Sequence, residues 1–270
     1  MKVSVHGLEF VYPSGVKALD GVDLEVESGS RLGIVGQNGA GKTTLVRHLN
    51  GIFQPTVGTV RIGDWETKGR DIADLAARVG YVFQNPDEQL FARTVAGDVS
   101  FGPRNLGVPP ERIDELVNLS LERVGLAGEG QTHPYHLSLS ERKRVALASV
   151  LAMNTPIVVL DEPTTGQDAR GVAMIERIVR QLNEEGRTVI AITHDMDFCA
   201  ENFDRVVVMA QGRILADGEP ADVFANGEAL DEARVEPPQL ARLATALGWT
   251  GTVLNVETFV NRLRDSERSR

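Results

Sequence analysis

Eight residues, Gly36-Gln37-Asn38-Gly39-Ala40-Gly41-Lys42-Thr43, constrain this chain more than any other stretch. They match the spacing G-x-x-x-x-G-K-[ST], between a strand-like run, Arg31–Val35, and a helix-like run, Lys42–Leu49, stopped by Gly51. In that context the glycines let backbone N–H groups curl around a phosphate, and the helix N-terminus adds partial positive charge. Gly36, Asn38, Gly39, Ala40, Gly41 and Thr44 are therefore expected to bind the phosphates of a nucleotide. Lys42 is expected to reach the β- and γ-phosphates, and Thr43 to ligate Mg²⁺.

The rest of the pattern supplies a frame for such a loop. Ile157–Leu160 and Thr188–Ile192 are short continuous apolar runs, which suit parallel strands covered on both faces. Between them Val172, Ile175, Ile178, Val179 and Leu182 form one helical stripe, ended by Gly186. Strands alternating with helices imply a doubly wound α/β core. Toward the N-terminus, Val3, Val5, Leu8 and Phe10, then Leu19, Val22, Leu24 and Val26, nearly alternate with polar residues and read as strands. Tyr81–Phe83 reads as a further strand. Residues from about 87 to 151 are helical in pattern (Ile113, Leu116, Val117, Val124) and interrupt the core as an inserted subdomain. Arg205–Met209 and Arg213–Ala216, joined at Gln211-Gly212, read as a closing hairpin. Beyond Pro220 the texture changes to short helices and a Pro237-Pro238 break, so a main domain over 1–220 and a small C-terminal extension over 221–270 are expected.

Composition removes several classes. The 270 residues are 42% hydrophobic, yet no apolar run reaches the roughly 18 residues that span a bilayer. The chain opens into a strand-like stretch, Met1 to Tyr12, with no basic-then-apolar leader. The one cysteine, Cys199, leaves no internal disulfide framework and fits a reducing compartment. A net charge of −10 repels nucleic-acid phosphates, so no nucleic-acid partner is expected. The last ten residues, with Arg262, Arg264, Arg268 and Arg270 against Asp265 and Glu267, read as a solvated tail.

Two strand ends carry the remaining chemistry. Asp161 sits where a strand C-terminus faces Mg²⁺ beside the phosphate loop, and Glu162 follows it, placed to orient or deprotonate the attacking water. His194 ends the next apolar strand and is positioned to hydrogen-bond the γ-phosphate and the water. Gln84, after Tyr81–Phe83, is neutral and flexible enough to reach the metal or the water.

Taken in order, these residues resemble the nucleotide-binding subunits of ABC transporters, across residues 1–220. The resemblance implies a P-loop cassette, with a RecA-like core, an N-terminal antiparallel β subdomain and a helical insert. It implies that Tyr12 stacks on adenine, that Asp168 belongs to the D-loop, and that Ser138 contacts a γ-phosphate in trans, across a head-to-tail dimer. Phe83 to Phe91, Phe101-Gly102-Pro103, Glu162 to Asp168 and Pro237 to Leu243 resemble the energy-coupling-factor group and its cobalt/nickel-type relatives. That likeness implies a second ATPase subunit, a transmembrane coupling protein, and a small membrane-embedded protein that captures a vitamin or transition-metal ion. The ATPase itself would sit peripherally on the cytoplasmic face of the membrane. The alternatives are the motor of a different ABC importer or exporter and, further off, a non-transport ABC ATPase.

One segment departs from the family. Where the signature reads Leu-Ser-Gly-Gly-Gln, this chain has Leu137-Ser138-Leu139-Ser140-Glu141. Ser140 puts a Cβ where glycine lets backbone approach phosphate, and Glu141 adds negative charge near an anion. The expectation is a weakened signature supplied to a non-identical partner, against the alternative of an ordinary homodimer. The surface at Asp87–Phe91 is expected to grip a short helix of the membrane subunit, with Leu90→Asp disrupting assembly and sparing ATP binding.

Overall fold

In the computed structural model residues 1–268 are described, with side chains through Asp265; Arg270, and the side chains of Glu267 and Arg268 in the basic tail, lie outside the described residues. Strand β1 (Val3–Val11) pairs antiparallel with β2 (Lys17–Val26), with Val5 opposite Leu24 and Leu8 opposite Val22. The chain crosses to a second sheet as β3 (Arg31–Val35), followed by α1 (Lys42–Leu49). It then returns with β4 (Val57–Ile62) and β5 (Trp65–Glu66), completing a four-stranded sheet of order β2-β1-β4-β5.

Helix α2 (Ile72–Ala76) leads to β6 (Val79–Val82), the edge of the second sheet. Helices α3 (Val95–Asn105), α4 (Pro110–Arg123) and α5 (Leu139–Met153) then pack on one another before the sheet resumes. It resumes as β7 (Ile157–Asp161), α6 (Ala169–Glu184), β8 (Thr188–Ile192), α7 (Met196–Asn202), β9 (Arg205–Ala210) and β10 (Arg213–Gly218). The order is β10-β9-β3-β8-β7-β6, parallel except for the hairpin strand β10. Four short helices close the chain: α8 (Pro220–Ala225), α9 (Gly227–Ala233), α10 (Gln239–Ala246) and α11 (Val256–Arg268).

Every residue of β7 and β8 is buried, which explains their unbroken apolar runs: layers cover both faces. Successive side chains of β7 enter different cores, as the two-residue period requires. Ile157 and Val159 meet the antiparallel sheet and α1, while Val158 and Leu160 meet the helical layer. That helical layer also takes Val223, Phe224, Leu230 and Ala233 from α8 and α9, so the segment after Pro220 begins as part of the main core.

Cys199 of α7 is fully buried against Gly33, where an added Cβ would lie 2.4 Å from its sulfur. Burial, with a smaller push from Asp195, raises its thiol far above the usual range. The thiolate is the reactive form, so native protein is expected to resist iodoacetamide for hours and to label stoichiometrically in denaturant. Mass spectrometry of the two samples checks this, and labelling of the native chain would contradict it.

Candidate functional site

The phosphate loop leaves β3, an interior strand of the parallel sheet, between β8 and β9. Its tight path needs glycine at two places. Gly36 has φ 147° and a Cβ there would stand 2.2 Å from the Met209 carbonyl oxygen. Gly41, at φ 101°, would place a Cβ 2.7 Å from the Ala18 carbonyl. Lys42 folds back so that Nζ donates to the carbonyls of Gly36 (2.7 Å) and Gln37 (3.0 Å). Burial holds its ammonium below the usual lysine range, against the raising pull of Glu162 and Asp161.

The loop forms one wall of a cleft of about 400 Å³. Asn38 to Thr44 line it, together with Tyr12, Gln84, Asp161 and Glu162, so most of the residues expected to bind nucleotide converge there. Tyr12 lies just past β1, its ring edge-on to Phe10 and Phe53 and its hydroxyl 2.8 Å from Thr44 Oγ1. Gln84 is exposed, two residues beyond the end of β6, one residue earlier than its sequence pattern places the strand end.

Asp161 closes β7 with its two oxygens in different states. Oδ2 accepts from the Tyr81 hydroxyl at 2.8 Å, while Oδ1 is buried with no hydrogen-bond partner. Burial pushes the carboxyl above its ordinary range, and the Tyr81 phenol is raised by burial and by Asp161 itself. A buried carboxylate oxygen without a partner, beside the Thr43 hydroxyl, suits a hard cation that takes oxygen ligands. The donor set therefore fits Mg²⁺.

Glu162 is held at φ 53°, a left-handed conformation for a bulky residue, by its N–H bond to the Ile192 carbonyl (2.9 Å). Its carboxylate Oε2 lies 2.6 Å from His194 Nδ1 and accepts from the His194 N–H at 3.3 Å. Adjacent parallel strands β7 and β8 thus deliver a carboxylate and an imidazole to one point. The Glu162 side chain is 8% exposed and that of His194 64%, so the histidine can turn while the carboxylate stays.

Ser138 and Asp168 lie outside the cleft of their own chain. Ser138 N-caps α5 in a capping box: its hydroxyl accepts from the Glu141 N–H, and Glu141 Oε2 accepts from the Ser138 N–H (2.8 Å) and hydroxyl (2.7 Å). These bonds hold the Glu141 carboxyl below its usual range. Ser140 donates to Gln167 Oε1 at 2.8 Å and its carbonyl accepts from Gln167 Nε2 at 3.2 Å. Asp168 caps α6 by accepting from the Gly171 N–H. The side chains at 140 and 141 thus both have hydrogen-bond partners within their own chain, and nothing local in the sequence pointed to Gln167.

Leu90 needs correction. It is 4% exposed and belongs to the core of the helical layer, so Leu90→Asp would bury an unpaired charge and damage the fold. The exposed neighbour is Phe91, at 65%, which meets Phe101 (50%) edge-to-face with ring centroids 4.8 Å apart.

A model of the ABC transporter family matches residues 19–165, more than half of the chain. The chain belongs to the ABC transporter family. It is accordingly an ATP-binding, ATP-hydrolysing cassette. It is 42% identical over 260 residues to an energy-coupling factor transporter ATP-binding protein of Methanothermobacter thermautotrophicus, covering 96% of this chain and 84% of that one. The protein of the same name from Methanocaldococcus jannaschii is 42% identical over 247 residues, covering 91% and 88%. Among solved structures, cbiO1 of Clostridium perfringens, part of the ABC transporter complex cbiONQ, superposes with a TM-score of 0.75 at 35% identity, covering 91% of this cassette and 98% of that chain. An ATP-binding cassette solved as a dimer with ADP and phosphate bound gives a TM-score of 0.74 at 26% identity, covering 81% and 98%. These likenesses favour an ATPase of the energy-coupling-factor type.

Proposed function

We propose that this cassette is the ATPase subunit of an energy-coupling-factor-type importer and powers uptake of a vitamin or a transition-metal ion through membrane partners. ATP hydrolysis in this reading is supported by the convergence on one cleft of the phosphate loop, the half-satisfied Asp161 and Glu162, which is paired with His194, and the energy-coupling-factor type by the likeness to the relatives above. Residues 1–220 act as the nucleotide-binding domain, with a helical insert at about 87–151, and 221–270 as the C-terminal extension.

Lys42 and the loop amides hold the phosphates, with Lys42 exchanging two carbonyl partners for phosphoryl oxygens. Thr43, Asp161 and Gln84 would hold Mg²⁺, which when bound neutralises charge on the β- and γ-oxygens. Glu162 accepts a proton from the attacking water, and His194 leaves Glu162 to hydrogen-bond the γ-phosphate. Tyr12 flanks the base. Ser138 and Asp168 face the nucleotide of a second ATPase subunit, identical or not, in a head-to-tail dimer. Among the described residues no helix is long and apolar enough to cross a membrane, which accords with peripheral attachment at the cytoplasmic face through partners.

Phe91 and Phe101 form the apolar patch on the helical layer that we assign to a short helix of the transmembrane coupling protein. Tagged chain from detergent-solubilised membranes is expected to carry with it a second ATPase, a coupling protein and a small binding protein. Phe91→Asp should abolish recovery of the coupling protein and the small binding protein and leave ATP binding within twofold, because the side chain is in solvent. Recovery of one large permease alone would discard the energy-coupling-factor reading while keeping the ATPase.

A further inference from the structure

The segment just past α9 reaches the reaction end of the site. A second cavity of about 410 Å³ adjoins the nucleotide cleft and shares Asn38, Gln84 and Glu162 with it. Gly36, His194 and Arg234 also line it. The position of Arg234 is tightly set. Ala233 before it is fully buried, Val235 after it packs on the same core, and the Val235 N–H returns to the Leu230 carbonyl at 2.9 Å. Further along, the Gln239 N–H is held by Asp197 of α7 at 2.9 Å, so the segment is tied to the helix that follows His194.

Arg234 closes α9 at φ 52°. That left-handed position suits glycine or asparagine and strains other residues. Its guanidinium forms no ion pair or side-chain hydrogen bond among the described residues, while neighbouring Glu236 is already paired with Arg242. An unpartnered fork of donors lining the same cavity as Glu162 and His194 suits phosphoryl oxygens.

We infer that Arg234 is an anion-positioning residue, taking phosphoryl oxygens on the γ side of the cleft, as part of bound nucleotide or as released phosphate. This rests on the ATPase reading above and adds a ligand from outside the expected nucleotide-binding residues. Arg234 lies in the stretch first assigned to the C-terminal extension, so the extension takes part in the site.

The test compares the full-length chain with Arg234→Gly, Arg234→Asn and Arg234→Lys. Binding of a non-hydrolysable ATP analogue, of ADP and of inorganic phosphate (as inhibitor of ATPase) is measured beside the melting temperature. Arg234→Gly and Arg234→Asn should raise the melting temperature, since the backbone strain goes. If the ligand is the nucleotide's γ-phosphoryl group, both weaken analogue binding on the order of tenfold and leave ADP within twofold. If it is free phosphate, only the phosphate inhibition constant rises by that factor. Arg234→Lys should keep part of either effect. Unchanged affinities for all three ligands overturn the inference, and so does a joint loss of ADP affinity and melting temperature, which marks a structural role. Failure of the unmodified chain to bind ADP or the analogue would instead sink the ATPase reading itself.

Discussion

Replacing Glu162 with glutamine leaves ATP binding intact and slows hydrolysis by about 10²–10⁴-fold, the range a positioned general base contributes. The two side chains are isosteric, and Glu162 is fixed by backbone bonds that the change does not touch, above all its N–H to the Ile192 carbonyl. What disappears is the basic oxygen 2.6 Å from His194 Nδ1. An amide can still accept one hydrogen bond from that ring, so the histidine keeps a resting partner, but it cannot take a proton from water. Single-turnover hydrolysis and equilibrium ATP binding separate the two effects. A rate within tenfold of the unmodified protein would remove Glu162 from the base role and leave His194 as the remaining candidate.

Gly36→Ala is the second large effect, and it acts on the fold before the chemistry. The added methyl would stand 2.2 Å from the Met209 carbonyl oxygen and 3.3 Å from the Ala40 Cβ, at a φ of 147° that L-residues avoid. Neither obstacle is a flexible side-chain end: one is the backbone of β9, the strand beside β3. Overpacking of a rigid site costs typically about 1–3 kcal/mol, and unfavourable φ adds roughly another 1–2. For a chain of this size about 3 kcal/mol is a drop of roughly 6–12 °C in melting temperature. ATP binding should fall with it, since the loop can relieve the clash only by moving away from the phosphates. Scanning calorimetry and nucleotide titration together check this. A melting temperature within 2 °C of the parent would show the loop to be far softer than its geometry implies.

What could be read from the chain alone follows the range of the interactions. The phosphate loop was legible because strand, glycines and lysine are contiguous, and the twofold-covered strands β7 and β8 were legible because each buries five residues in a row. The face assignment at Leu90 and Phe91 was not. The preceding Pro86–Glu88 is a single 3-10 turn, so no helical or strand period decides which of two adjacent apolar residues points inward. The contact of Ser140 with Gln167 was not legible either, because the two are 27 residues apart and no local pattern pairs them. Arg234 gave no signal at all. Its positive φ lies between the buried Ala233 and the partly buried Val235, both packed on the main core, and that packing is a property of the finished core. Strand β4 passed unread because only Val60 and Ile62 of its six residues are buried and Val57 is exposed, and β5 because it is two residues long.

The placement of β3 also decides when the site can exist during synthesis. Its two neighbours in the sheet, β8 and β9, begin 157 and 174 residues after Arg31. At the roughly 5–20 residues per second of translation, the phosphate loop leaves the ribosome some 8–30 s before the first of these neighbours follows it. Until then Gly36 has no Met209 to pack against and Glu162 no Ile192 carbonyl to hold its backbone. Nascent chains stalled before residue 188 carry the whole loop sequence without either of the strands that flank β3 in the finished sheet.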